Sequence, residues 1–333
     1  MESLVFAVNA VLPIIIIVVI GYVLKRIGFI DAEFVKKANK TVFRVFLPSM
    51  LFLNVYKIGS FADIDFGYVG YAVAVTLIVF FVMLPVSGIV TKENSRRGPL
   101  LQASFRSNYA LVGIPLATSL FGSSGASVAT LLSVALIPTY NMLAVISLSL
   151  FRKGDDERGG ALKIVKRVLL GIAKNPLIIS IFAGCVTLLI RALFVKIDVA
   201  FRLTDVVPVY KVLESLSAVA TPLSLIVLGG QFEFSAVKAL RREIITGTLV
   251  KGVIVPVLAL GAAYVFFRDS FNGAHFAAFV AAFATPTGVS TVPMAQEMDG
   301  DVSLAGQFVV WTTLLSGLVI FLASFLLKYA GIF

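Results

Sequence analysis

The sequence predicts an all-α integral membrane protein: ten transmembrane helices in two five-helix repeats of opposite orientation, with the fourth and ninth helices broken. Three observations lead there. Of 333 residues, 59% are hydrophobic and only 14% are charged, against roughly a quarter charged in soluble domains. Charge-free runs recur at the length a bilayer demands, about 20 residues. Prolines fall at matching places in the two halves of the chain. The same composition narrows the function. One His, one Cys and one Trp leave little for His- or Cys-based metal sites or nucleophilic triads, so neither a metal nor a cofactor is expected. An intramembrane protease would want a Ser/His pair or two midspan aspartates, and the runs hold neither.

In chain order the uncharged runs are Ser3–Leu24, Phe66–Thr91, Ser107–Phe151, Asn175–Ile190, Ser215–Phe232, Gly252–Phe267, Ser270–Gln296 and Val302–Leu327. The first is too long for the h-region of a signal peptide, and Met1-Glu2-Ser3 lacks a basic n-region, so it reads as a retained helix. A further span, Thr41–Tyr56, tolerates Arg44 near one end, where a long stem reaches the interface. Ser107–Phe151 is long enough for two helices, and its Phe121–Ala126 stretch, rich in Gly and Ser, supplies the turn. Cys185, alone in the sixth span, reads as buried and inert. His275 reads as interfacial, and Lys211 and Glu214, spaced i,i+3, as a pair. Residues 152–174 form a cytoplasmic linker between a first repeat, 1–151, and a second, 175–333. The linker's Ala161–Leu170 piece reads equally as a basic amphipathic helix on the inner leaflet or as a solvated connector.

Orientation follows from the basic residues. Eighteen Lys and Arg fall in the odd-numbered loops and seven on the opposite side, so the odd loops are cytoplasmic and both termini lie outside the cell (inner) membrane. The formal charge of +10 is therefore an orientation signal, and nucleic acid is not expected as a partner. Loop nine, with Glu297, Asp299 and Asp301, is acidic, and acidic residues weigh little in this rule.

The repeat rests on four ordered matches. Pro13 with Gly21 corresponds to Pro176 with Gly184, Pro48 to Pro222, and Pro85 to Pro256. In the fourth, Asn108–Ala117 lies over Pro286–Ala295, so that Pro115 meets Pro293. An odd number of spans per repeat inverts the second half in the membrane.

Spans four and nine are the unusual ones. Asn108, Gly113 and Pro115 interrupt the first; Thr285, Pro286, Thr287, Gly288, Ser290, Thr291 and Pro293 interrupt the second. A helix-interior proline removes a hydrogen bond, and in lipid the freed carbonyls need protein or a watery cavity. Interruptions at corresponding places of two repeats mark the substrate site of repeat-built carriers. Half-helix N-termini there favour an anion, to which Asn108 and the hydroxyls of Ser107, Thr287, Ser290 and Thr291 could donate. Arg106 either adds attraction or caps the cytoplasmic entrance. Asn141 and Asn54 either line the same cavity or bond between helices.

At Asn108–Gly122, and again at Pro286-x-Gly288 followed by Ala295-x-Glu297, the sequence resembles the auxin efflux carrier family over all ten spans. The resemblance implies that broken helices four and nine cross, with helices 1, 2, 6 and 7 as scaffold and 3–5 and 8–10 as transport domain. It also implies a homodimer in the lipid bilayer with an elevator-type motion, and a carboxylate at the crossing. The short loop five departs from the plant auxin exporters, so small organic anions of the malate and malonate kind are expected rather than auxin. The alternative is a sodium-coupled symporter resembling the bile acid carriers.

Overall fold

The computed structural model describes residues 2–57, 66–152, 166, 169–197, 199 and 201–333. The linker's 153–165 segment, with most of the expected amphipathic piece, lies outside them. The described residues are all helical or irregular, and six helical stretches among them are long and apolar enough to cross a membrane. The major helices are α1 (Glu2–Arg26), α2 (Ala32–Thr41), α3 (Leu47–Tyr56), α4 (Phe66–Val90), α5 (Asn94–Phe105), α6 (Ile114–Leu150), α7 (Pro176–Lys196), α8 (Val207–Gln231), α9 (Arg241–Leu249), α10 (Val255–Phe267), α11 (Gly273–Phe283), α12 (Thr291–Glu297) and α13 (Val302–Tyr329). At 1.5 Å per residue, a 25-residue helix such as α4 is about 37 Å long, more than a bilayer core.

Local sequence sets the starts. Asp31, Asn175, Asn272 and Asp301 each accept a backbone N–H of the first helical turn through the side chain, which satisfies donors that a helix start leaves orphaned. His275 completes one of these caps, its Nδ1 accepting from the Asn272 N–H at 3.1 Å. Phe121 and Gly122 leave helical geometry within α6, with Gly122 at φ 59°, so the turn expected there exists as a break that glycine makes inexpensive. Hydroxyls inside the spans bond back one turn, as Thr76 does to Ala72, Ser104 to Leu100 and Ser224 to Ala220. That leaves no polar atom of these residues facing an apolar medium.

Three prolines share one local arrangement, which differs from expectation at Pro115. Pro48, Pro115 and Pro256 each follow a π-helical turn, at Val42–Phe46, Tyr109–Gly113 and Val250–Ile254. Proline clashes with the carbonyl four residues back, and each of those carbonyls (Arg44, Leu111, Gly252) lies in the widened turn. The helix therefore continues past the ring, and Pro115 is not a break. The break in span four comes earlier, at Arg106–Asn108, between α5 and the π turn. Span four also begins earlier than the charge-free ruler placed it. Arg96 and Arg97 belong to the first turn of α5, where Arg96 pairs with Glu243 and Asp301 and Arg97 donates to the Thr91 carbonyl. Span eight likewise begins at Arg241 and contains Lys251.

Two helix pairs form one packing group: α1 along α8 and α3 along α7. Glycine sets both approaches. A Cβ on Gly21 would sit 2.1 Å from the Ile226 carbonyl oxygen, and one on Gly229 would sit 2.0 Å from that of Val18. At the other pair, a Cβ on Gly184 would sit 2.8 Å from Val55 Cβ and 3.2 Å from the Phe52 carbonyl oxygen. Of the remaining helices, α4, α6, α10 and α13 pack around α11, nearly every residue of which is buried, as a helix ending inside the protein must be.

Two expectations fail. Cys185 is exposed, because the buried stripe of α7 is Leu177, Ser180, Ile181, Gly184 and Leu188 and Cys185 lies beside it. Glu214 reaches across to Lys57 of α3 at 3.4 Å rather than pairing along its own helix with Lys211. The acidic loop nine, by contrast, is explained by its neighbours. Glu297 meets Arg44, Asp299 meets Arg152 and Asp301 meets Arg96, so it shares a face with basic loops. As a test of the packing, Gly229→Ala is expected to cost about 1–3 kcal/mol through overpacking. Gly317→Ala, with open space around it, should be neutral or stabilising by up to about 1 kcal/mol; thermal unfolding of the purified variants measures both.

Candidate functional site

The two interrupted segments meet. Breaking α5 from α6 at Arg106–Asn108, and α11 from α12 at Ala284–Ser290, frees backbone groups in the interior. Each break supplies partners for the other: the Asn108 N–H donates to the Pro286 carbonyl at 2.8 Å, and the Ser107 hydroxyl donates to the Ala282 carbonyl at the end of α11. Thr287 ties the second break to its surroundings, its N–H donating to Thr312 Oγ1 at 3.0 Å and its hydroxyl to the Ala103 carbonyl at 3.2 Å. Thr285 bonds back to Ala281.

Two cations lie buried here. Arg106 is 4% exposed and Lys251 is 1% exposed, and neither forms an ion pair among the described residues. Their surroundings differ. Lys251 Nζ donates to Ser107 Oγ and, at 3.3 Å, to the Phe283 carbonyl, so it sits against the C-terminal carbonyls of α11, where a helix favours positive charge. Arg106 meets neutral acceptors alone. Its Nη1 donates to Gln102 Oε1 at 3.1 Å and to Met294 Sδ at 2.8 Å, and its Nη2 to Asn141 Oδ1 and Ser290 Oγ, both at 2.7 Å.

Beside this guanidinium is a cavity of about 50 Å³, room for about three or four waters. Arg106, Ser107, Asn108, Asn141, Gly288 and Ser290 line its polar side; Leu47, Met50 and Leu51 of α3, Ile137 of α6 and Leu177 of α7 line the other. Asn54 of α3 completes it, and the side-chain amide nitrogens of Asn54 and Asn108 have no hydrogen-bond partner. A buried cation with neutral partners and two unsatisfied amide donors make a pocket whose electrostatics attract an anion, because burying a charge without a counter-charge is costly.

Of the residues expected from sequence, Ser107, Asn108, Asn141, Gly288 and Ser290 converge on this cavity. Pro286 contributes its carbonyl to the junction. Gly113, Pro115, Thr285, Thr287, Thr291 and Pro293 do not line it: Gly113 packs against Tyr109 and the Ala281 carbonyl, and Pro293 lies inside α12. Sequence reasoning assigns no role to Lys251, Gln102 or the apolar α3 wall, and leaves Arg106 either adding attraction or capping the cytoplasmic entrance. The signal for Lys251 is present in the sequence, since a basic residue within an apolar span is expensive and marks function.

Apolar helices, two of them interrupted around a polar cavity inside the protein, define a multi-pass membrane-embedded transporter. A model of the membrane transport protein family matches residues 6–323. The chain belongs to this family, the one whose auxin efflux carriers the Asn108–Gly122 stretch resembles. It is similar to an uncharacterized transporter of Methanothermobacter thermautotrophicus, 26% identical over 320 residues that cover 92% of this chain and 94% of that one. It is also similar to an uncharacterized transporter of Methanocaldococcus jannaschii, 24% identical over 324 residues, covering 96% of this chain and 98% of the relative. The family is one of transporters, not enzymes. For the site itself, Asn141→Leu is expected to lower stability by about 1.5–3 kcal/mol, because a charged donor loses a buried acceptor. Equilibrium unfolding against Asn141→Gln, which retains a carbonyl, checks this.

Proposed function

We propose that this protein is a secondary transporter of small organic anions, carboxylates among them, across the cell membrane. The observation that carries this reading is Arg106: a buried guanidinium held by neutral acceptors beside a cavity that also receives unpartnered amide donors from Asn54 and Asn108. An arginine fork matches a carboxylate in two hydrogen bonds. Asn108, Asn141, Ser107, Ser290 and Gly288 would form the rest of the anion's surroundings.

The mechanism proposed is an elevator. The α1, α3, α7 and α8 group acts as scaffold and the helices around α11 as the moving body, within a homodimer whose termini face outward. An inverted repeat underlies it, and the helix pairs support one. Aligning Pro13 with Pro176 puts Gly21 over Gly184, and aligning Pro48 with Pro222 puts Phe52 over Ile226. Gly21 packs on the Ile226 carbonyl, and Gly184 on the Phe52 carbonyl, so the exchange of halves carries one contact onto the other. The junction supports it too, since Asn108 bonds to Pro286, its own counterpart in the alignment. In the same reading, the apolar α3 and α7 wall belongs to the scaffold and Arg106 to the moving body, so sliding would carry the anion from one side to the other.

The test is uptake of labelled carboxylates into proteoliposomes, with sodium, proton and electrical gradients imposed one at a time. Uptake of a subset of the acids is expected; uptake of none would overturn the substrate class, and dependence on sodium would favour a symporter. Asn108→Ala is expected to abolish anion binding while the protein stays folded. Asn141→Asp should do the same by placing an internal carboxylate against Arg106, and its stability should match or exceed that of the parent protein.

A further inference from the structure

A second cavity lies on the outer surface of the α1/α13 pair, away from the Arg106 site. It holds about 480 Å³ and is walled by Ile14, Val18 and Val19 of α1, Val310 and Leu314 of α13, and the ring of Trp311. In a span this wall is covered by lipid, and its concave shape suits an acyl chain rather than a flat belt of them.

One end of the groove carries different chemistry. Tyr22, Phe232 and Phe234 gather there, with Tyr22 edge-on to Phe234 at 5.8 Å and Phe234 edge-on to Phe232 at 4.9 Å. A tyrosine such as Tyr22 favours the level of the headgroups. Lys25 and Arg26 form the last turn of α1 at the same end. Arg26 lies over the Tyr22 ring at 5.1 Å, and its Nε donates to the Tyr22 hydroxyl at 3.0 Å. That bond uses one of five guanidinium donors. Neither cation forms an ion pair among the described residues. Apolar groove, aromatic collar and two cations without counter-ions thus lie at one end of α1.

We propose that the α1/α13 groove is a binding site for an anionic phospholipid, one acyl chain lying along Val18, Val19, Val310 and Leu314 and the phosphate held by Lys25 and Arg26. Juxtamembrane Lys and Arg attract anionic headgroups generally; the groove adds a fixed place for the chain. The site spans α1 and α13. The inference stands whether or not the carrier reading above does.

The chain supplies its own reporter. Its one Trp is Trp311, in the wall of the groove. The full protein is reconstituted in phosphatidylcholine bilayers containing either phosphatidylglycerol or phosphatidylcholine brominated on the acyl chain, and quenching of Trp311 fluorescence gives the relative affinity of each lipid. Brominated phosphatidylglycerol is expected to bind about fivefold better than brominated phosphatidylcholine. Lys25→Gln/Arg26→Gln should reduce that ratio to about one, leaving quenching by brominated phosphatidylcholine, and hence the folded groove, as it was. Lys37→Gln/Lys40→Gln, which removes the same charge from exposed positions of α2, should keep the preference. Equal quenching by the two lipids in the parent protein would overturn the proposal. So would a preference that survives the Lys25/Arg26 change, or one that the Lys37/Lys40 change removes equally, which would mark bulk surface potential alone.

Discussion

The hydrogen bond from the Asn108 N–H to the Pro286 carbonyl is the constraint on which the rest depends. A helix interrupted inside an apolar protein leaves backbone donors and acceptors that no water is there to satisfy, each costing several kcal/mol. Two interruptions placed together solve the problem for each other. Asn108 and Pro286 pair, Ser107 caps the end of α11, and Lys251 spans Ser107 and the Phe283 carbonyl. Once that junction is fixed, α11 must be enclosed on all sides, and α4, α6 and α10 are packed around it. Even so, the junction does not satisfy everything. Asn54, Asn108 and Gln102 keep amide nitrogens without partners, as does the Thr291 hydroxyl its oxygen, and the anion site proposed above would give the two asparagines theirs.

The two buried cations are treated unequally by the fold, and that inequality gives the site its sign. Lys251 lies on the negative end of a half-helix and is partly compensated by it. Arg106 has only an amide carbonyl from each of Gln102 and Asn141, a hydroxyl and a thioether around it. These hold the guanidinium in place without cancelling its charge. Moving a counter-ion into that position would stabilise the protein and end its attraction for anything else.

Much of this was legible in the chain. The apolar, helical character of the chain followed from where charges are missing, the turn at Phe121–Gly122 from its composition, and the two interrupted segments from their prolines and glycines. What failed did so for identifiable reasons. A ruler that counts charges must stop at Arg96, Arg106 and Lys251, so it shortened spans four and eight. Pro115 reads as a break although the helix widens by one residue and continues, as it also does at Pro48 and Pro256. Cys185 was assigned to the interior by residue type, whereas its exposure is decided by which stripe of α7 faces α3.

The sequence by itself determined that this is a membrane-embedded helical protein with two irregular spans. Apolar length and proline position are local properties, and lipid enforces them segment by segment. Only the tertiary structure decided that Ser107, Asn108, Asn141, Gly288 and Ser290 share one cavity while Thr285, Thr287 and Pro293 do not, and that Arg106 stands at its centre. Those facts depend on which break lies against which, a matter of packing between residues nearly two hundred positions apart along the chain. A buried cation gains its meaning from the partners that surround it, and no single segment contains them.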